Sequence, residues 1–203
     1  MNIFLSAHYD DAILSCGELI MDLPEVLILT VFGGSPKQGL TDYDKKCGFS
    51  SSIEAVETRR IENNRAALIL GAETLNLDYL DNQYDSEPNI LAEIQLLDQL
   101  REITTGHFVY APIGIMHPDH ILLNKLASHL NNINYYEDIP HRVIWSDQMV
   151  DKIRSLKLQP VSMPSGHRDK KRSALKQYKS QINTGDLQME WCLAPERYWR
   201  LLN

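Results

Sequence analysis

His8, Tyr9, Asp10 and Asp11 follow directly on a short, mostly apolar run, Asn2 to Ala7. Far along the chain, His117-Pro118-Asp119-His120 comes soon after a second apolar run, Phe108 to Pro112. Two imidazoles and a carboxylate are enough to hold Zn²⁺ with one position left for water. His8, Asp11 and His120 supply such a set, and Fe²⁺ or Co²⁺ would accept the same donors. Neighbouring residues at a strand end point in different directions, so Asp10 is left over beside Asp11. A free carboxylate next to a metal-bound water is a natural general base. His117 lies three residues before His120, and only one of the two need be a ligand. The other could donate to an oxyanion. Asp119 could orient an imidazole and raise its pKa. Taken alone, Asp-Asp at a helix start reads equally well as an N-cap with favourable dipole charge. The two motifs together carry the metal reading.

The elements that must position these groups are legible. Residues 2–7 form a first strand and 11–22 a helix broken by Pro24. Glu25 to Phe32 is continuously apolar, as a strand buried on both faces would be. Residues 33–52 are polar and without a clear period, a long loop expected beside the site because it follows a strand's carboxyl end. Ile53 to Leu70 is a helix closed by Gly71. A third strand spans Thr74 to Leu80, with Asp81 at its end. A helix follows over Leu91 to Ile103, then a fourth strand over Phe108 to Pro112. His117 to His120 lie in the next loop, before a helix over 121–130. Asn134 to Glu137 and Arg142 to Trp145 read as shorter strands, Ala174 to Ile182 as a basic helix, and the aromatics of Glu190 to Leu202 as a docking segment. Strands alternating with helices predict an α/β, Rossmann-like fold. Its mainly parallel sheet would carry helices on both faces, in a single domain over 1–203. The carboxyl edge of such a sheet is where its ligands bind.

Composition narrows the function classes. Of 203 residues, 43% are hydrophobic and 23% charged, an ordinary balance for a globular domain. The net charge of −7 argues against broad nucleic-acid binding. No run is apolar and long enough to cross a bilayer, and no secretion signal is evident. Cys16, Cys47 and Cys192 are odd in number and widely spaced, which predicts reduced thiols in a cytoplasmic protein.

The motifs resemble those of the PIG-L/LmbE-like zinc-dependent N-deacetylases. The family's Ala-His-Pro-Asp-Asp is similar to Ala7-His8-Tyr9-Asp10-Asp11, its Cys-Gly to Cys16-Gly17, and its His-Pro-Asp-His stands intact at 117–120. Arg59-Arg60-Ile61-Glu62, Leu70-Gly71, Asp81, Tyr136-Glu137-Asp138-Ile139-Pro140 and Lys176-Gln177-Tyr178-Lys179-Ser180-Gln181 extend the likeness over nearly the whole chain. The resemblance implies zinc on His8, Asp11 and His120, and Asp10 as general base. It implies His117 as an imidazolium that stabilises the oxyanion, tuned by Asp119. Arg59 would hold substrate toward a phosphate or the aglycone, and Asp81 toward sugar hydroxyls. The implied reaction removes the N-acetyl group from an amino sugar, typically N-acetylglucosamine in a glycoconjugate. Three positions depart from the family pattern: Tyr9 for Pro, Ala12 for Glu, and Ile115 where some members carry Tyr.

Other readings compete. A nucleotide-binding Rossmann-like transferase would want a glycine-rich first turn, whereas His-Tyr-Asp-Asp repels phosphate. Deacylation of a different small-molecule amide, or a catalytically silent carbohydrate-binding relative, fits the same motifs. The stretch Arg168, Lys170, Lys171, Arg172, Lys176 and Lys179 reads as a solvated helix face or a rim attracting a phosphorylated sugar. His107, His129, His141 and His167 lack ligand spacing and read as surface or capping residues. A homo-oligomer is compatible with the sequence, which does not fix the oligomeric state.

Overall fold

A computed structural model describes residues 1–85, 89–182 and 187–202. In chain order the elements are β1 Asn2–Ser6, α1 Asp11–Asp22, β2 Val26–Thr30, α2 Asp42–Lys46, α3 Ser52–Leu70 and β3 Glu73–Asn76. They continue with α4 Ile90–Thr104, β4 Phe108–Pro112, α5 Pro118–Ala127, β5 Ile133–Tyr136, α6 His141–Ile144 and α7 Ser146–Ser155. The last are β6 Leu158–Val161, α8 Arg168–Leu175, α9 Lys179–Ile182, α10 Met189–Cys192 and β7 Tyr198–Leu201.

The strands form one sheet in the order β3-β2-β1-β4-β5-β7-β6. The first five are parallel, and β7 runs antiparallel to both β5 and β6. The order reverses between β1 and β4. In a doubly wound sheet that reversal opens a crevice at the carboxyl ends of the two strands. The two candidate motifs follow those same two strands.

Side chains that alternate along each strand feed two cores. Phe4, Ile28, Tyr110 and Tyr136 pack with α1, α3 and α8 on one face. Ile3, Leu5, Leu27, Leu29, Val109, Ala111 and Tyr135 pack with α4, α5 and α7 on the other. The mainly parallel sheet with helices on both faces is thus as the sequence predicts. Helix α3 begins where Ser51 Oγ accepts the Glu54 N–H and ends at Gly71 with φ 74°, a left-handed C-cap. The loop at 33–52 lies beside the site as expected, and it contains the short helix α2.

The fold corrects three sequence readings. Ala174 to Ile182 is not one helix, since α8 ends at Leu175 and α9 begins at Lys179. Arg142 to Trp145 is not a strand. Its residues enter α6 because Arg142 and Val143 N–H groups turn back onto Asp138 and Pro140 carbonyls. Lys171 is not part of a solvated face. It is 1% exposed, with Nζ 2.6 Å from Glu196 Oε1. Glu196 also accepts the N–H groups of Glu18 and Leu19, and the Tyr198 hydroxyl. One buried carboxylate thereby ties α1, α8 and the chain before β7. A Cβ on Gly17 would lie 2.8 Å from Lys171 Cγ, so the Cys16-Gly17 pair makes room for this lysine. Arg168, Lys170, Arg172, Lys176 and Lys179 are exposed, as a solvated face requires. The three cysteines are unpaired, and Cys16 and Cys192 are buried.

Candidate active site

β1 delivers His8 through a tight turn. Ser6 Oγ donates to the His8 carbonyl at 2.6 Å and accepts the Ala12 N–H at 3.0 Å. The His8 N–H donates to Asp11 Oδ2 at 2.7 Å, fixing that carboxylate in the first turn of α1. Asp10 occupies the N-cap position with helical backbone and makes no capping hydrogen bond. The N-cap reading of the paired aspartates therefore does not describe Asp10, whose carboxylate lines the cavity instead. Tyr9, where the family has Pro, is buried; its hydroxyl donates to the Gly33 carbonyl at 2.8 Å.

β4 delivers the second motif through a strained bend. Gly114 has φ 70° and Met116 φ 63°, and the His117 N–H returns to the Ile115 carbonyl at 2.7 Å. A Cβ on Gly114 would collide with the His120 carbonyl oxygen, so only glycine fits. His117 is the N-cap of α5, with Pro118 in the first turn. Its Nδ1 accepts the Asp119 N–H at 3.3 Å. The ring proton of neutral His117 therefore sits on Nε2.

The two imidazoles are held in the same manner. His120 Nδ1 is 2.7 Å from Asp138 Oδ1, and Asp138 is wholly buried and also accepts the Gly114 N–H at 3.0 Å. His8 Nε2 is 2.9 Å from Asp119 Oδ2, which also accepts the Asn82 N–H at 3.0 Å. The other nitrogens, His8 Nδ1 and His120 Nε2, lie 3.5 and 3.3 Å from the same Asp11 Oδ2. The ring centroids are 5.3 Å apart. A ligating imidazole usually gives its second N–H to a carboxylate. Both imidazoles meet that condition here, with their free nitrogens turned to one shared carboxylate. The donor set fits a divalent cation.

Among the described residues, two groups of donor atoms lie within 4.8 Å of one another throughout: His8, His117 and His120, and His8, Asp81, His117 and Asp119. Both include His117, and neither includes Asp11. Asp119 engages His8 Nε2 and its N–H engages His117 Nδ1, which leaves His8 Nδ1, His117 Nε2 and His120 Nε2 as the nitrogens open to an ion.

Electrostatics follow from this packing. Burial works against charge on His8, but Asp81, Asp119 and Asp11 outweigh it and raise its pKa to about 9. Burial opposes charge on His120 too, and Asp11 and Asp138 override it, holding the pKa well above the usual value. Asp11 is buried, yet His120 and His8 hold its carboxyl far below the carboxylate range. Burial and the neighbouring Asp11 push Asp10 up to about 6. Burial, His8 and His120 push His117 down to about 4. Asp119 Oδ2 lies 2.9 Å from His8 Nε2 and 3.8 Å from His117 Nδ1, so its carboxylate faces both rings, His8 at the shorter distance.

His8, Asp10, Asp11, His117 and His120 share a cavity of about 380 Å³ whose wall also includes Tyr43, Arg59, Asp81, Gln83, Tyr84 and His141. Asp81 Oδ1 accepts the Gln83 N–H at 2.9 Å and Oδ2 accepts Gln83 Nε2 at 2.7 Å. Arg59 is buried, with Nη2 2.8 Å from Asp44 Oδ1 and its guanidinium beside the Tyr43 and Phe49 rings. It anchors the 33–52 loop from within the cavity wall, and Asp44 already balances its charge.

Two site residues lay outside the sequence reading. Asp138 was visible only as part of Tyr136-Glu137-Asp138-Ile139-Pro140, with no spacing to tie it to His120. His141 is not a surface residue: burial and His120 lower its pKa, and its ring lies 4.8 Å from that of His120.

Fold and site together define a Rossmann-like α/β protein with a cluster of histidines and carboxylates at its switch point. The family model described as PIG-L, GlcNAc-PI de-N-acetylase, matches residues 3–131, and the chain belongs to that family. No curated protein matches the chain. The fold is similar to that of the A40926 pseudoaglycone deacetylase Dbv21, with a TM-score of 0.79 and 21% identity over 98% of this chain and 95% of the other. The zinc-inhibited form of the teicoplanin deacetylase Orf2 gives 0.77 and 21%, over 98% and 96%. GalB, a 4-carboxy-2-hydroxymuconate hydratase from Pseudomonas putida, gives 0.61 and 17%, over 94% and 82%. At these identities the likeness is one of fold. Among the described residues, no helix is long and apolar enough to cross a membrane.

Proposed function

We propose that this protein removes the N-acetyl group from an amino sugar of the N-acetylglucosamine type, carried in a glycoconjugate, and releases acetate and a free amine. His8, Asp11 and His120 would hold a divalent cation, Zn²⁺ or else Fe²⁺ or Co²⁺. When bound, the ion supplies Lewis acidity toward the amide carbonyl and toward a water. The observation that carries the reading is the paired anchoring of His8 by Asp119 and of His120 by Asp138, which leaves two nitrogens and Asp11 facing one point. Family membership and the deacetylases of like fold support the substrate class.

The chain's own groups divide the chemistry. Asp10 takes the proton of the attacking water as the C–O bond forms at the amide carbon. A carboxylate raised to about 6 is a stronger base than an exposed one and still ionised at neutral pH. His117, neutral with its proton on Nε2, donates to the carbonyl oxygen as negative charge gathers there. Asp10 then returns its proton to the leaving nitrogen as the C–N bond breaks. Asp119 fixes the ring of His8, and Asp138 that of His120. Asp81 would receive sugar hydroxyls, and Arg59 would shape the wall facing the aglycone.

Incubation with N-acetylglucosamine in free, lipid-linked and nucleotide-linked forms tests the reading. Acetate and primary amine appearing in equal amounts from one of them is the expected result. Amine without acetate would indicate another acyl group, and neither product from any member would reject the hydrolysis.

A further inference from the structure

One polar group on the cavity wall has no part in the chemistry above. His141 stands at the start of α6, three residues after Asp138, and lines the cavity. Its ring lies edge-on to His120 at 4.8 Å between centroids and 6.4 Å from His117. The side chain is half-buried, and among the described residues neither ring nitrogen has a hydrogen-bond partner. The two rings beside it are engaged: His120 with Asp138 and His117 with the Asp119 N–H. A partly desolvated imidazole with an unused donor and acceptor gains most from a ligand that offers both.

We propose that His141 is a substrate-binding residue that hydrogen-bonds a sugar hydroxyl flanking the acetamido group, on the His120 side of the cavity. The inference rests on the reading that the cavity takes an acetamido sugar. In that reading the reacting amide is served from Asp10 and His117, so the polar atoms left for His141 are hydroxyls. A hydroxyl matches a neutral imidazole, one donor and one acceptor on each side. The contact exists equally in the ground and transition states, so it acts on KM more than on kcat.

Kinetics of His141→Ala and His141→Gln on N-acetylglucosamine and its 1-deoxy and 3-deoxy analogues, with metal content measured in parallel, test it. A buried contact to a substrate hydroxyl predicts a rise in KM of about tenfold or more for His141→Ala, with kcat and metal content near wild type. His141→Gln should recover part of the loss, and one deoxy analogue should erase the difference between wild type and His141→Ala. An unchanged KM, loss of metal with loss of activity, or a difference that persists on both analogues would overturn the proposal. If the wild-type chain releases no acetate from the free, lipid-linked or nucleotide-linked sugar, the hydrolysis reading fails separately. Calorimetric binding of N-acetylglucosamine then decides: weaker binding to His141→Ala upholds the contact, and equal binding or none overturns it.

Discussion

Asp138 Oδ1 lies 2.7 Å from His120 Nδ1, and the other oxygen of that carboxylate accepts the Gly114 N–H. A wholly buried acid thus fixes both the ring of one candidate ligand and the bend that delivers it. Asp119 does the first of these for His8, from the opposite motif. The two halves of the centre are therefore orientated before any ion arrives, and most of the consequences can be measured.

Asp138→Asn should keep the fold and weaken the metal site. The amide cannot accept from Nδ1–H as strongly and adds a donor where the ring already has one. Loss of such a supporting carboxylate typically costs about 10–100-fold in metal affinity or activity. Titration with Zn²⁺ of the metal-free variant checks this, and activity should return as the metal concentration is raised. Asp119→Asn should behave alike, since it serves His8.

Asp10→Asn should separate chemistry from binding. Removal of a general base costs about 10²–10⁴-fold in rate. Metal content by elemental analysis should stay at the wild-type level, because Asp10 is outside the donor set. A variant that turns over normally would refute the assignment of the base.

Gly114→Ala should damage both stability and the site. A left-handed backbone costs an alanine roughly 1–2 kcal/mol. Forcing a Cβ against the His120 carbonyl adds about 1–3 kcal/mol of overpacking. Denaturant unfolding should show the combined loss, and metal affinity should fall with it because the pushed backbone is that of His120.

Lys171→Met should destabilise the protein without reaching the cavity. It leaves the buried Glu196 carboxylate without its cation, held only by the Glu18 and Leu19 N–H groups and the Tyr198 hydroxyl, and breaking such a buried pair costs about 3–5 kcal/mol. The double variant with Glu196→Gln should recover part of that loss. Unfolding midpoints of the two variants supply the comparison.

Much of this was legible in the sequence, for physical reasons. Strands β1, β2 and β4 are buried on both faces, so their runs are apolar throughout and unmistakable. The metal motifs stand just past β1 and β4, where the switch point puts them. What escaped depended on contacts between distant segments. Arg142 to Trp145 has strand-forming residues, yet the bend after Asp138 turns it into α6. Lys171 sits in a basic run whose other lysines and arginines are exposed, and only Glu196, 25 residues on, explains its burial. Asp138 and His141 have no spacing relation to His120, since β5 intervenes. The sequence gives neither the cap geometry of His117 nor its closeness to the His8 and His120 rings.

The most direct test is acetate release from an N-acetylated amino sugar before chelation, after chelation, and after return of Zn²⁺, Fe²⁺ or Co²⁺, with bound metal quantified at each stage. Activity should vanish with the metal and return with one ion per chain, and His120→Ala should bind none. Acetate release that persists in the chelated, metal-free protein would contradict the two-histidine, one-carboxylate centre.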